Sequence, residues 1–367
     1  LSLHDALPIL DYVASLTSSF SGVKDAQVVL MNASEDSTAA VNALLKAGKS
    51  VSLITEGQYE GSFLVSYADW QSVAGDYLLS GVGVTDAPAA LAIPKAPVVY
   101  ISGKPADNDK GFVKTTLVSG SYEYNYDRQA MRTLGFTVTD DAAKADIIVG
   151  NVALDQGEKG AAAVAAVKAG TPYIATGSDP LEYISKNLVT DLTYTTLGME
   201  ALHTVTYPTD SLITASYAAD GDHVLYTYSC GVLTSVPAGA TVLIQAAEQD
   251  SFIAGCCLNE NGTPIDGFVE AIALERDGMD LTIFANSVNN RAHQQDDYRY
   301  VTNAIYAKMS TGGAGFTDVP ASHWAAGGIA YAVENGLMTG TSRTTFAPAA
   351  PTTRGMMMTI LARQDGV

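Results

Sequence analysis

Cysteine is scarce in this sequence: the three present, Cys230, Cys256 and Cys257, cannot all pair, and the vicinal two have the wrong geometry for a structural bridge. A disulfide framework is therefore excluded. Zinc-finger spacing is absent as well, so the thiols read as buried or semi-buried structural groups. Five histidines occur, His4, His203, His223, His293 and His323, and none opens a His-x-x-Glu motif. Charged residues make up only 16% of the chain and are biased in sign, with 20 Lys and Arg against 39 Asp and Glu, a net charge of -19. Such a field repels nucleic acid, and no local basic patch offsets it. No apolar run approaches the roughly 20 residues needed to span a bilayer.

What is present is ample apolar material: 367 residues, 47% hydrophobic, enough for two or three domains at roughly 100–200 residues each. The abundance of Ala, Thr, Ser and Gly, with 19 Tyr, suits a secreted surface protein better than a cytosolic enzyme. The opening "LSLHDALPI" (1–9) has no cationic segment and no small-residue cleavage site. It resembles one reading frame of a sequencing-adapter oligonucleotide, so the natural protein is expected to continue upstream of Leu10.

From Gln27, "QVVLMNASEDSTAAVNALLKAGKSVSLI" reads strand, acidic cap region, amphipathic helix, glycine stop and strand, a βαβ-like unit with parallel strands by default. "GSFLVSYADW" adds a strand, completing a small α/β segment over 10–90, and "DAPAALAIPKAP" (86–97) reads as a linker. Beyond it, "VVYISG", "LGFTVTD", "ADIIVG" and "TPYIATG" are short apolar strands spaced by helices, the pattern of a doubly wound sheet over 97–309. Residues from about Thr204 to Phe284 are β-rich, "RYVTNAIYAKM" closes the body as a helix, and 310–315 is a glycine-rich hinge.

The tail, 316–367, places Trp324, Gly328, Ile329, Ala332, Val333, Gly336 and Leu337 at helical spacing, with Asn335-Gly336 as a stop. A second helix from about Thr353 offers Met357, Ile360 and Leu361 on one face. About fifty residues make a thin core, so the unit is expected to need neighbours of its own kind. Through "FTDV", "HWA", "IAYAVENGLMTGT", "TFAP" and "TTR", the tail resembles an S-layer homology (SLH) domain of Gram-positive cell-surface proteins. The resemblance implies a small all-α domain, one of a set of three, that binds pyruvylated secondary cell wall polymer outside the cell. It implies that Asp318, Trp324, Gly340 and Arg354 build the groove and contact the ligand. For Arg354 a solvated surface charge is the plainer alternative, and for Trp324 core packing. One departure stands out: the family's Thr-Arg-Ala-Glu is here Thr353-Arg354-Gly355-Met356, without the glutamate of a capping box. With a single repeat before the chain stops, truncation is expected at this end also.

The body resembles the region that follows the catalytic domain in secreted zinc-carboxypeptidase-like (M14) proteins, a region related to class I glutamine amidotransferases. The resemblance runs from "GSFLVSY" through "SYAADGDHVLYTYSCGVLTSVPAGATVLIQAAEQDSFIAGCCLNE" to "LTIFANSVNNRAHQQDDYRYVTNAIY". It implies a class I amidotransferase/flavodoxin-like α/β sheet with a β-rich extension, and zinc only in a catalytic domain upstream. No cofactor is expected in this chain. An amidotransferase needs a cysteine at a sharp strand-to-helix elbow, and the elbow-like "ATGSDP" has none, so no catalytic residue is assigned. "RAHQQDD" (291–297) reads as a polar loop and helix start in preference to a metal or acid/base site. The expected function is an anchored, non-catalytic part of a surface peptidase. The rivals are a structural or adhesive S-layer protein, and a hydrolase or amidotransferase surviving in the body with Cys230 as nucleophile.

Overall fold

The computed structural model describes residues 16–102, 126–157, 159–221, 223–228, 231–257, 264–288 and 295–310, and in the tail residues 319, 325, 328–329, 332–333, 337–338, 340–341 and 346–364. The first sheet has six strands: β1 Ser19–Gly22, β2 Gln27–Leu30, β3 Val51–Ile54, β4 Phe63–Ser66, β5 Ser80–Val84 and β6 Ala90–Ile93. Helix α1, Glu35–Lys46, joins β2 to β3, and α2, Tyr67–Val73, follows β4. The strand order is β1-β5-β2-β4-β3-β6. Because β4 is antiparallel to both β2 and β3, those two run in the same direction, as the βαβ reading expects, but they are not neighbours. The chain folds back at once after β3, and β4 takes the place between them; a hairpin closes a shorter loop than a crossover does. The Ala/Pro-rich stretch also departs from the linker reading, since β6 lies within it and pairs with β3 at the sheet edge. Prolines are tolerated beside an edge strand because no second ladder needs their missing N–H.

The second sheet has twelve strands. Five of them, β7 Val98–Ile101, β8 Thr137–Thr139, β9 Ile147–Gly150, β10 Tyr173–Thr176 and β18 Met279–Phe284, are mutually parallel in the order β8-β7-β9-β10-β18. Taken by chain position this is 2-1-3-4-5, a doubly wound arrangement with its reversal between β7 and β9. Alternate residues of these strands enter two different cores. Val99, Ile101, Ile147, Val149 and Ile174 pack with helix α3 (Tyr126–Thr133) and α7 (Tyr298–Met309). Tyr100, Ile148, Tyr173 and Ala175 pack with α4 (Gly160–Lys168) and α5 (Asp179–Asn187). Burial on both faces is why these strands read as unbroken apolar runs.

Between β10 and β18 lies the β-rich extension: β11 Thr193–Thr196, β12 Glu200–Thr206, helix α6 Ala215–Asp220, β13 Val224–Tyr228, β14 Gly231–Ser235, β15 Thr241–Ala246, β16 Phe252–Cys257 and β17 Val269–Arg276. It is antiparallel and continues the sheet through β17, which pairs with β18 over six residues. The first sheet and the second share one core, and helix α7 is the seam. Asn303 in α7 accepts from Asn32 Nδ2 at 2.7 Å, and the Tyr306 hydroxyl donates to the Thr38 carbonyl. In the tail, Val319 and Ile329 are buried against Ala325, Val333 and Phe346. Helix α8, Arg354–Gln364, buries no residue at all.

Candidate functional site

In a doubly wound sheet the place for a ligand is outside the carboxyl ends of the strands, where the order reverses. Among the described residues, polar side chains of the protein itself lie at that edge. Ser102 follows β7, and Gly150 at the end of β9 comes so close that an added Cβ would lie 1.5 Å from Ser102 Oγ. The buried Thr176 hydroxyl, at the end of β10, lies 3.1 and 3.0 Å from the two oxygens of Asp127. Asp127 is itself fully buried in the first turn of α3, where the helix dipole favours its charge. Burial pushes the neighbouring Tyr173 phenol well above its ordinary range, and the Asp127 charge adds to the effect.

Strand β10 then turns sharply into α5 at Gly177, which has φ 83 and donates its N–H to Phe284 O at 2.9 Å. This strand-to-helix elbow is the position from which a nucleophile would be presented. A left-handed backbone suits glycine, and glycine has no group to present. Beside the elbow, a cavity of about 400 Å³ is lined by Gln156, Ser178, Asp179, Glu182, Tyr194 and Thr196, with Lys186 paired to Glu182 on its rim.

The other clusters singled out in the sequence resolve unevenly. In "RAHQQDD", residues 291–294 lie outside the described residues, but the Asp296 carboxylate is 2.8 Å from the Arg299 guanidinium, so that charge is engaged within the fold. Cys230 and the side chains of Cys256 and Cys257 lie outside the described residues. Among the described residues, no three His, Cys, Asp or Glu side chains converge where a metal ion could sit. Sequence reasoning missed the pair His203–Glu270, Nε2 to Oε1 at 2.6 Å, fully buried between β12 and β17. The signal was there: Ala201, His203 and Val205 alternate along β12 and all point inward.

Of the tail residues, Arg354 is exposed at the start of α8, and no ion pair engages its guanidinium among the described residues. Gly340 is half-buried, while Asp318 and Trp324 lie outside the described residues. The weakened helix start keeps half of its box: Thr353 Oγ1 accepts from Met356 N at 3.2 Å, and only the reciprocal arm is missing. The apolar face expected to pack does not. Met357 and Leu361 are exposed and Ile360 is only half-buried, because the small core of Val319 and Ile329 lies elsewhere.

Residues 315–356 match the S-layer homology domain. The SLH tail thus marks a protein of the cell surface or cell wall. No helix among the described residues is long and apolar enough to cross a membrane. No curated protein matches the chain. Solved structures similar to it include a GMP synthase subunit from Thermoplasma acidophilum, at 9% identity over 57% of this chain and 94% of that one, TM-score 0.33. A glutamine amidotransferase from Thermotoga maritima is similar at 9% identity over 72% and 96%, TM-score 0.29. An exo-β-1,4-mannosidase from Opitutaceae bacterium strain TAV5 is similar at 12% identity over 59% and 36%, TM-score 0.31. Likeness at this level leaves the body's chemistry to its own residues.

Proposed function

We propose that this chain is the anchoring and accessory part of a cell-surface protein, tethered through its SLH tail to an anionic wall glycan, the pyruvylated secondary cell wall polymer. The observation that carries this reading is Arg354: within the matched span, exposed, without an internal partner among the described residues, and at the first position of α8. A guanidinium there adds a full positive charge to the positive end of the helix dipole and offers two parallel donors to a ketal-pyruvate carboxylate. Asp318 and Trp324 are assigned to shaping the groove, and Gly340 to letting the polymer approach the backbone. The small all-α character of the tail belongs to the same proposal.

The body is non-catalytic on this reading, which is supported by the glycine at the elbow and by the Thr176 hydroxyl being engaged by Asp127 at the end of β10. The parent protein is proposed to be a secreted zinc carboxypeptidase of the M14 type. The described residues of this chain do not fit a zinc centre, so no step through zinc is derived for it. A purely structural surface protein is the second reading, favoured by the same glycine at the elbow. A His-x-x-Glu motif in the reading frame upstream of Leu10 separates the two.

Co-sedimentation with purified walls tests the anchor. The Arg354→Ala chain should be retained about tenfold less well, the order expected for loss of one charge-assisted contact. Walls stripped of their ketal-pyruvate should lose the wild-type chain to the same degree. Equal retention of wild type and variant removes Arg354 from the proposal, and equal retention on stripped walls removes the ligand.

A further inference from the structure

We propose that the run Met356-Met357-Met358 is an oxidation site, at which peroxide outside the cell converts thioethers to sulfoxides and loosens the tail from its wall ligand. The chain has nine methionines. Met131, Met199, Met279 and Met309 are buried in the body, and Met31 and Met338 are partly buried. The three exposed ones are consecutive, at 44%, 49% and 66% exposure, on a helix that buries nothing. Sulfoxide formation follows access, so an oxidant diffusing from solvent meets this run first.

The chemistry needs only a peroxide. A sulfur lone pair attacks the peroxide oxygen, an S–O bond forms as the O–O bond breaks, and the departing hydroxide takes the proton from the oxygen now on sulfur and leaves as water, giving the sulfoxide. Sulfur loses two electrons and the peroxide gains them. The product carries a strongly accepting, polar oxygen where a flexible apolar side chain stood.

Position gives the change its consequence. Successive helical residues step by about 100° around the axis, so the three side chains fan over more than half of the helix circumference in its first turn. Met357 and Met358 stand one turn before Leu361, with which they make up the exposed apolar surface of α8. Arg354 lies on the same turn. Sulfoxides at Met357 and Met358, three and four residues after Arg354 on the same face, place uncompensated acceptors beside the guanidinium that is to receive a carboxylate, and competing acceptors weaken that contact. This consequence rests on the anchoring role proposed above; the oxidation site itself does not.

The full chain is exposed to hydrogen peroxide and sulfoxides are mapped by peptide mass spectrometry over time. Met356, Met357 and Met358 should oxidise at least about tenfold faster than the four buried methionines, in line with access control. Similar rates across all nine overturn the site. In parallel, wall retention is compared before and after treatment, for wild type and for a chain carrying M356L, M357L and M358L. Treated wild type should fall about tenfold in retention, as for loss of one charge-assisted contact, with the triple variant unchanged by treatment. Full oxidation without loss of retention, or equal loss in the variant, overturns the consequence. Untreated wild type that fails to bind walls counts against the anchor alone, since the sulfoxide map still decides the site.

Discussion

Glu35 opens helix α1 with one carboxylate oxygen buried and unpartnered. Burial raises its pKa above the ordinary range, repulsion from Asp36 and Asp296 adds to the rise, and Arg299 opposes it. A carboxyl group with a raised folded-state pKa destabilises the fold wherever it is ionised. The penalty is full above the folded pKa and is relieved as pH falls through it toward the unfolded value, about 4.3. Glu35→Gln should therefore melt higher than wild type at pH 7. The difference should close as pH falls toward 4, where both chains carry a neutral group; a gap that stays constant across that range contradicts the account. Gly177 is the other residue with a local consequence, since its left-handed backbone makes the turn from β10 into α5.

At the scale of elements, α7 and α8 are opposites. Helix α7 is buried on nearly every side because it fills the seam between two sheets, and its polar residues are matched there. Asn303 Nδ2 donates to Ile213 O at 3.0 Å and lies 3.1 Å from Ser216 Oγ, while its Oδ1 accepts from Asn32. Asn303→Ala should cost about 2–3 kcal/mol, because it removes the partner of buried polar groups on Asn32, Ile213 and Ser216. Urea unfolding measures this, and a loss below about 0.5 kcal/mol would mean that water or a relaxed backbone replaces the bonds. Helix α8 buries no residue, and Arg363 in its last turn donates to Leu337 O at 3.3 Å. The Thr353 cap orders its first turn, and the exposed side chains of Arg354 and Met356 to Met358 remain available to reagents and ligands.

At the scale of the whole molecule, residues of both sheets belong to one core, so the body should unfold as one unit. Trp70 reports on the first sheet, and the second tryptophan, Trp324, is in the tail. With Trp324→Phe in place, Trp70 fluorescence and far-UV circular dichroism should trace the same denaturation midpoint. A separate, earlier Trp70 transition would show that the first sheet is held only loosely. Charge is also divided at this scale. Asp318, Glu334 and Asp365 balance Arg343, Arg354 and Arg363 within 316–367, so the net charge of -19 falls entirely on residues 1–315. An anionic polymer would thus meet a neutral tail beside a repelling body, which favours a local contact such as Arg354 over long-range steering.

The sequence by itself determined the elements wherever burial is a local property. Strands buried on both faces must be apolar throughout, and "ADIIVG" and "TPYIATG" are β9 and β10; the Gly135 and Gly170 stops carry the positive φ that ends a helix. It also carried the tail's motif, because that motif is contiguous. The tertiary structure alone decided which strand lies beside which: β4 between β2 and β3, β6 within the supposed linker, and β18 beside β10 after an extension of about a hundred residues. It alone brought His203 to Glu270 and Asn32 to Asn303. The backbone ladder is the same for every residue type, so a strand does not name its partner. That choice falls to the packing of side chains from distant parts of the chain, and it exists only once they have met.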